Sequence, residues 1–515
     1  MTVPPAPHVF VLPGDLTHLA ADAWLLPTDA RLTIEQYWED AVPGLRARVA
    51  SAGAALADFC AGRVRGLAID EGDGPAPVLT QVPLEGLSDA AQVVAPLAEA
   101  LAAAAPVARE RAAQRPATAR RGLPLVAMPL FGARGGGGDR FRGELIHHVL
   151  DTAARVGVEQ GVDVALVLRD APDLAHAHRI RRERPGTWSG LGPDLVARAE
   201  ALAAQARAGR LVPFIGAGVS ASAGLPLWTE LLERLLAQSD LPPAQHAAFR
   251  ALPALDQAHV LRARQPDAAT FNALVAEHAR AERYGLAPAL LAALPTTEAV
   301  TLNYDELYEM AASDLERPVA LLPEEATRPG GRWLLKLHGT VTDPSTIVLT
   351  REDYLGYGRG REALSALAKA MLLTRHLLFV GFGLADDHFH ELMHDVREVL
   401  PRGRRREPLG TALLLEPDPL RDLMWGGELD LVPMGGAGIP DQVRRLEIFL
   451  DCLLAHADQG LSFFLNDRYA ARLSDGERAL RARLLRVRDE AGPAERGTAA
   501  WAEVAKLLAS LDGGA

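Results

Sequence analysis

The sequence predicts an α/β protein: a block of alternating strands and helices, then a doubly wound parallel sheet, then C-terminal helices. Three observations predict it. Apolar runs of strand length alternate with stretches of helical periodicity over the first 440 residues. Glycine-containing turns follow several of these runs directly. A charged stretch at 179–192, with Pro and Gly and no periodicity, reads as an inter-domain linker. At 515 residues the chain also exceeds what one hydrophobic core accommodates, so at least two domains are expected.

In chain order, residues 8–12 form an apolar run closed by Pro13-Gly14-Asp15, and 23–26 form another; both read as strands. The Ala-rich stretch 89–113 has helical spacing, 124–131 reads as a buried strand, and Gly135, Gly136, Gly137 and Gly138 form a loop. A helix is expected over 143–159 and a strand over 162–168. These make a first domain at 1–180, with a linker at 181–195. The second domain, 196–440, opens with a helix from about 194 to 208. Strands follow at 211–215, 299–302, 333–337, 376–380 and 411–415. Helical patterns at 441–456, 475–489 and 500–511 make a C-terminal helical region, 441–515, whose expected role is to complete a core or mediate assembly.

Composition narrows the function classes. With 49% apolar and 23% charged residues the chain reads as a soluble globular protein. A net charge of −12 argues against nucleic-acid binding, which needs a basic surface, and the run Arg402 with Arg404 to Arg406 reads as a solvated loop. Two cysteines, Cys60 and Cys452, cannot build a four-cysteine zinc ribbon or a disulfide framework, which fits a reducing cytoplasm. No run of about 18 apolar residues reads as a membrane span, and the N-terminus lacks a basic segment followed by an apolar core.

The chemistry concentrates after the strands of the second domain. Strand 211–215 leads into Gly216-Ala217-Gly218-Val219-Ser220-Ala221-Ser222-Ala223-Gly224-Leu225-Pro226-Leu227-Trp228 and then an amphipathic helix. Gly216 and Gly218 let the backbone turn and approach a pyrophosphate, which free N–H groups at a helix start would bind; Ser220 and Ser222 add hydroxyl donors. Three further motifs each follow an apolar run: Thr301-Leu302-Asn303-Tyr304-Asp305, Lys336-Leu337-His338-Gly339, and Val380-Gly381-Phe382-Gly383-Leu384-Ala385-Asp386-Asp387. In a doubly wound sheet the carboxyl ends of the strands converge on one crevice, so Asn303, Asp305 and His338 are expected to face one ligand.

These four ordered motifs, over residues 205–435, resemble the sirtuin superfamily, and most closely its bacterial NAD-hydrolysing subgroup. The resemblance implies a Rossmann-type fold with NAD as substrate. It places NAD on Gly216, Ala217, Gly218, Ser220, Ser222, Pro226, Trp228, Gly381, Gly383 and Asp386. Asp386 either bonds cofactor hydroxyls or caps the following helix. Asn303 matches the residue the family uses to hold a ribose hydroxyl or water. His338, whose ordinary pKa lies near neutrality, is the expected general base. Asp305 either orients the site or caps a helix. His388 and His390 read as solvated or capping residues, so no metal is expected. The chain departs from deacylating sirtuins in continuing Pro226-Leu227-Trp228-Thr229 where they have Pro-Asp-Phe-Arg, and in lacking two Cys-x-x-Cys pairs; both argue against deacylation.

The first domain carries a second resemblance. Pro13-Gly14-Asp15-Leu16-Thr17 and Met128-Pro129-Leu130-Phe131, continuing to Gly138, are similar to the opening and second phosphate loop of macro domains, which bind ADP-ribose. Residue matching puts Asp15 on adenine and Gly135, Gly136, Gly137 and Gly138 on phosphates. The macro domain's Asn-Ala-Ala-Asn is replaced by Leu26-Pro27-Thr28-Asp29, and the first glycine loop is not recognisable, so catalysis is not expected there. A sensor of ADP-ribose or a related nucleotide, or a degenerate assembly domain, remain the two readings. Together the resemblances imply a cytoplasmic homo-oligomer that cleaves NAD to nicotinamide and ADP-ribose, depleting it during phage infection under control of a nucleotide signal or of assembly. An ADP-ribosyl transferase or deacylase, and a non-catalytic nucleotide sensor, are the alternatives.

Overall fold

The computed structural model describes residues 5–69, 74–83, 85–133, 136–400 and 407–513. The expected loop at Arg402 and Arg404 to Arg406, and Gly135, lie outside the described residues. The chain forms two compact units, one of Met1–Gln114, Leu123–Pro193 and Asp451–Ala515, the other of Arg115–Gly122 and Asp194–Leu450.

The first unit holds strands β1 (Val9–Pro13), β2 (Ala23–Thr28), β3 (Gly66–Ala68), β4 (Ala76–Gln81), β5 (Leu125–Pro129) and β6 (Asp163–Leu168). They form one sheet in the order β1-β6-β5-β2-β4-β3, parallel except where β3 meets β4. Strands buried on both faces carry continuous apolar runs, which is why β2 and β6 lack alternation. The stretch Ala90–Gln114, which ends in helix Val94–Gln114, is long and apolar enough to cross a membrane by length and composition alone, a property that buried core helices share. It buries Leu97, Ala100, Leu101, Ala104 and Ala108 in the core of this unit. Its alanines allow close approach: a Cβ on Gly66 would lie 2.7 Å from the Cα of Ala100.

The C-terminal segment from Asp451 belongs to this unit and completes its core, one of the two roles expected of it. Phe463, Phe464, Leu465, Tyr469 and Leu473 are buried in the same cluster as β5 and β6. Buried ion pairs accompany them: Asp451 pairs with His8 and Arg181, and Asp173 with Arg142 while accepting from the Tyr469 hydroxyl at 2.5 Å. The expected linker at 181–195 is ordered: helix Ala171–Glu183 runs into it, Trp188 and Leu191 are buried, and helix Pro193–Arg207 begins inside it.

The second unit holds β7 (Leu211–Ile215), β8 (Glu298–Thr301), β9 (Val319–Leu322), β10 (Arg332–Lys336), β11 (His376–Val380), β12 (Gly410–Leu414) and β13 (Leu429–Pro433). Every pairing is parallel, in the order β13-β12-β11-β7-β8-β10-β9. The chain runs from β7 to β8, out to the edge strand β9 and back inward to β10, then crosses to β11 on the other side of β7 and builds outward to β13. The winding direction therefore reverses between β7 and β11, and in open α/β sheets ligands bind outside the carboxyl ends at that point. This is the doubly wound sheet of the sequence analysis, with β9 and β13 added at its edges.

Candidate active site

The two glycine turns that close the reversal point are packed on each other. The N–H of Gly216 donates to the Val380 carbonyl at 2.9 Å, and that of Gly218 to the Gly381 carbonyl at 2.9 Å. A Cβ on Gly216 would stand 2.5 Å from the Gly381 oxygen, and one on Gly381, at φ +63°, would stand 2.4 Å from the Val219 nitrogen. These glycines thus serve contact between two loops, in addition to any approach of a ligand.

Beside these turns lies a cavity of about 1120 Å³. Gly216, Ala217, Gly218, Ser220, Pro226 and Trp228 line one part of it. Asn303, Asp305, His338, Gly381, Gly383 and Asp386 line another, and the segment from Leu413 to Pro419 with Arg421 completes the wall. All the predicted residues of this unit line the cavity except Ser222. The Ser222 hydroxyl is buried and faces Gly285, where a Cβ would stand 2.0 Å from it.

Polar bonds tie the first two motifs together. Asn303 Nδ2 donates to the Gly216 carbonyl at 3.2 Å and to Ser220 Oγ at 3.1 Å, and Ser220 Oγ donates to Asp305 Oδ2 at 2.8 Å. Asp305 Oδ1 also accepts from the Leu307 N–H at 3.1 Å, the first residue of helix Leu307–Asp314. Both readings of Asp305 therefore coexist in its geometry, since one oxygen serves the helix start and the other the site. Beneath them, Lys336 is buried and donates to the Asp305 carbonyl at 2.5 Å and to Glu309 Oε1 at 2.6 Å. It holds the end of β10 to the loop after β8.

His338 is 3% exposed and its Nε2 has no hydrogen-bond partner. Burial, with the Arg361 guanidinium adding to it, holds its pKa down to about 3, so the imidazole is neutral across the physiological range. His388 stacks on it with ring centroids 5.7 Å apart, and Tyr354 meets it edge-on at 5.3 Å. Asp386 caps helix Asp387–Val399 through the Phe389 N–H at 3.1 Å and accepts from the Tyr354 hydroxyl at 2.6 Å. His390 bonds the Leu384 carbonyl at 3.1 Å, a local backbone contact.

Tyr354, Tyr357 and Arg361 went unrecognised in the sequence. They lie on helix Arg351–Thr374, which is broken at Arg361 (φ −132°), and Arg361 bonds the carbonyls of Leu337 and Thr346. Only the run Gly356, Gly358 and Gly360 hinted that this helix is irregular.

Residues 297–425 match the family model of the SIR2-like domain. That SIR2-like segment runs from β8 to helix Pro419–Trp425 and contains Asn303, Asp305, His338, Gly381, Gly383 and Asp386. Over 200 residues the chain is 29% identical to an NAD(+) hydrolase ThsA of Bacillus cereus (strain MSX-D12), covering 38% of this chain and 41% of that one. Over 122 residues it is 32% identical to an NAD(+) hydrolase ThsA of Enterococcus faecium, covering 22% and 26%. A 26% identical match over 201 residues, 38% of this chain and 20% of the other, links it to defense-associated sirtuin 2 of Bacillus subtilis. The chain spans less than half the length of each of these relatives. The likeness supports a sirtuin-like domain of the NAD-hydrolase type at family level.

The predicted contacts of the first unit fare differently. Asp15 accepts from the Thr17 N–H at 2.9 Å, from the Thr17 and Tyr37 hydroxyls and from Arg169 Nη2 at 2.5 Å, so its carboxylate is engaged within the fold. Gly136 and Gly138 pack on Gly132, where added Cβ atoms would stand 2.7 Å from its carbonyl oxygen, and the Leu87 N–H donates to the Gly136 carbonyl. Gly137 closes against Leu87. The close packing accounts for these three glycines without a phosphate.

Proposed function

We propose that the second unit hydrolyses NAD to nicotinamide and ADP-ribose. The observation that carries this reading is the convergence of Asn303 and a neutral, buried His338 on one cavity at the reversal point of the sheet, beside the turn at Gly216. Cleavage of the nicotinamide–ribose bond passes through an oxocarbenium-like state, and the pyridinium leaves readily. The site must position the ribose and a water and stabilise developing charge. The Asn303 amide nitrogen is committed to Gly216 and Ser220, so its oxygen is the atom that accepts from a ribose hydroxyl or water. His338 takes the proton. The Asp305 carboxylate, fixed by Ser220, lies on the same cavity and offsets positive charge. Gly218, Ser220, Pro226 and Trp228 hold the dinucleotide, and Asp386 its hydroxyls.

The relatives' names, NAD(+) hydrolase and defense-associated sirtuin, support a setting in which NAD loss serves defence, which the sequence resemblance directs against phage. On this reading the protein is a cytoplasmic homo-oligomer held inactive until a nucleotide signal or assembly releases it. The first unit then senses ADP-ribose or a related nucleotide, which has to displace Tyr37 or Arg169 to reach Asp15.

Purified protein incubated with NAD, with and without candidate nucleotide activators, is expected to release nicotinamide. Asn303→Ala and His338→Ala are each expected to lower that rate by about 10²–10⁴-fold. Nicotinamide release only with an acceptor protein points to a transferase, and NAD binding without turnover under every condition points to a sensor.

A further inference from the structure

We propose that His338, Asp386 and His388 bind a first-row divalent transition-metal ion, Zn²⁺ by donor chemistry, and that this ion blocks NAD cleavage. The second half rests on the function proposed above; the first does not.

Each of the three side chains offers one ligand atom, and these atoms lie within 4.8 Å of one another. Tetrahedral coordination at about 2.1 Å needs ligand atoms about 3.4 Å apart, so modest side-chain adjustment closes the set. Two independent features show that the polar groups want a partner. Nε2 of His338 and Nδ1 of His388 are both buried with nothing to bond, although both residues are 3% exposed, and an unsatisfied buried polar atom is costly. The remaining bonds are those of an outer shell: Ser365 Oγ meets Nε2 of His388 at 2.9 Å, and the Tyr354 hydroxyl donates to Asp386 at 2.6 Å. Such contacts fix ring orientation and ligand basicity.

Two imidazoles and one carboxylate suit Zn²⁺ or its neighbours in the series, and not Mg²⁺ or Ca²⁺, which prefer all-oxygen cages. His338 and Asp386 also line the NAD cavity. An ion seated on them claims the imidazole assigned as the base and the carboxylate assigned to the cofactor hydroxyls. Metal and turnover therefore exclude each other.

Tag-free, chelator-treated full-length protein is titrated with Co²⁺, read by visible ligand-field absorption, and with Zn²⁺ by equilibrium dialysis. One ion per chain is expected, weakened about 100-fold in His388→Gln and in Asp386→Asn; the asparagine keeps the helix cap, so a folded variant is available. Metal-free wild type, assayed with the candidate nucleotide activators, is expected to release nicotinamide from NAD and to stop on stoichiometric Zn²⁺, whereas His388→Gln continues. Failure to bind an ion, or equal binding in both variants, overturns the site. Binding with undiminished NAD cleavage overturns the block. Absence of cleavage in metal-free protein under every activating condition refutes the catalytic reading while the Co²⁺ spectrum still decides the metal site.

Discussion

The imidazole of His338 is a different reagent from the histidine of a model peptide. Burial and Arg361 hold it neutral from about pH 3 upward, so it enters the reaction unprotonated at any physiological pH. NAD cleavage is accordingly expected to show no histidine limb: kcat/KM stays level between about pH 5 and 8, and a drop centred near a histidine's ordinary 6.5 would contradict the assignment. The sequence pointed to this residue through its place after an apolar strand, yet the argument from a near-neutral pKa does not survive burial. Lys336 gives a second residue-scale test. Lys336→Met strands Glu309 in the interior, and breaking such a pair costs about 3–5 kcal/mol. The double variant Lys336→Met with Glu309→Leu is expected to recover part of that loss in urea denaturation.

The turns after β7 and β11 act as one element. Their glycines were legible from spacing alone, but the reason for them was not, because the partner of each turn lies about 160 residues away and only the sheet order brings them together. Gly216→Ala is expected to destabilise the protein by about 1–3 kcal/mol through overpacking against the Gly381 carbonyl. Gly383→Ala, where nothing lies within 4 Å, is expected to leave the melting temperature unchanged. Differential scanning calorimetry of the pair separates a packing requirement from a generic effect of alanine. The strands that escaped sequence reading, β3, β4, β9 and β13, include every edge of the two sheets except β1. Short runs with half-buried residues, such as β9, carry little of the hydrophobic signal by which strands are found.

Across the whole molecule, acid is expected to weaken the fold. His338, His388 and His176 are held down to about 3, 4 and 4 in the folded protein, below a histidine's ordinary 6.5, chiefly through burial. A depressed value means that the unfolded chain binds protons first, so stability is lost as pH falls from about 6.5 toward 3. Glu309 and Asp173, raised by burial, pull the other way, while lowered carboxylates such as Asp451 and Asp458 act with the histidines. The melting temperature is therefore expected to decline steadily below about pH 6.5, and a rise would contradict the balance. The C-terminal segment makes a second prediction at this scale. Truncation after Ala457 removes Phe463, Phe464 and Leu465 from the first unit's core, each contributing roughly 1.5–3 kcal/mol, and limited proteolysis is expected to find that unit cleaved.

The sequence by itself determined the alternation of strands and helices, the parallel sheet of the second unit, and which residues stand after its strands, because these are local consequences of periodicity and turn chemistry. Tertiary structure decided the rest: that Ser222 turns away from the cavity, that Asp15 spends its carboxylate within the fold, that the last helices belong to the first unit's core, and that His388 meets His338. Those outcomes depend on which distant side chain reaches a given atom and on how much water is excluded there, and neither quantity is written in the neighbouring residues.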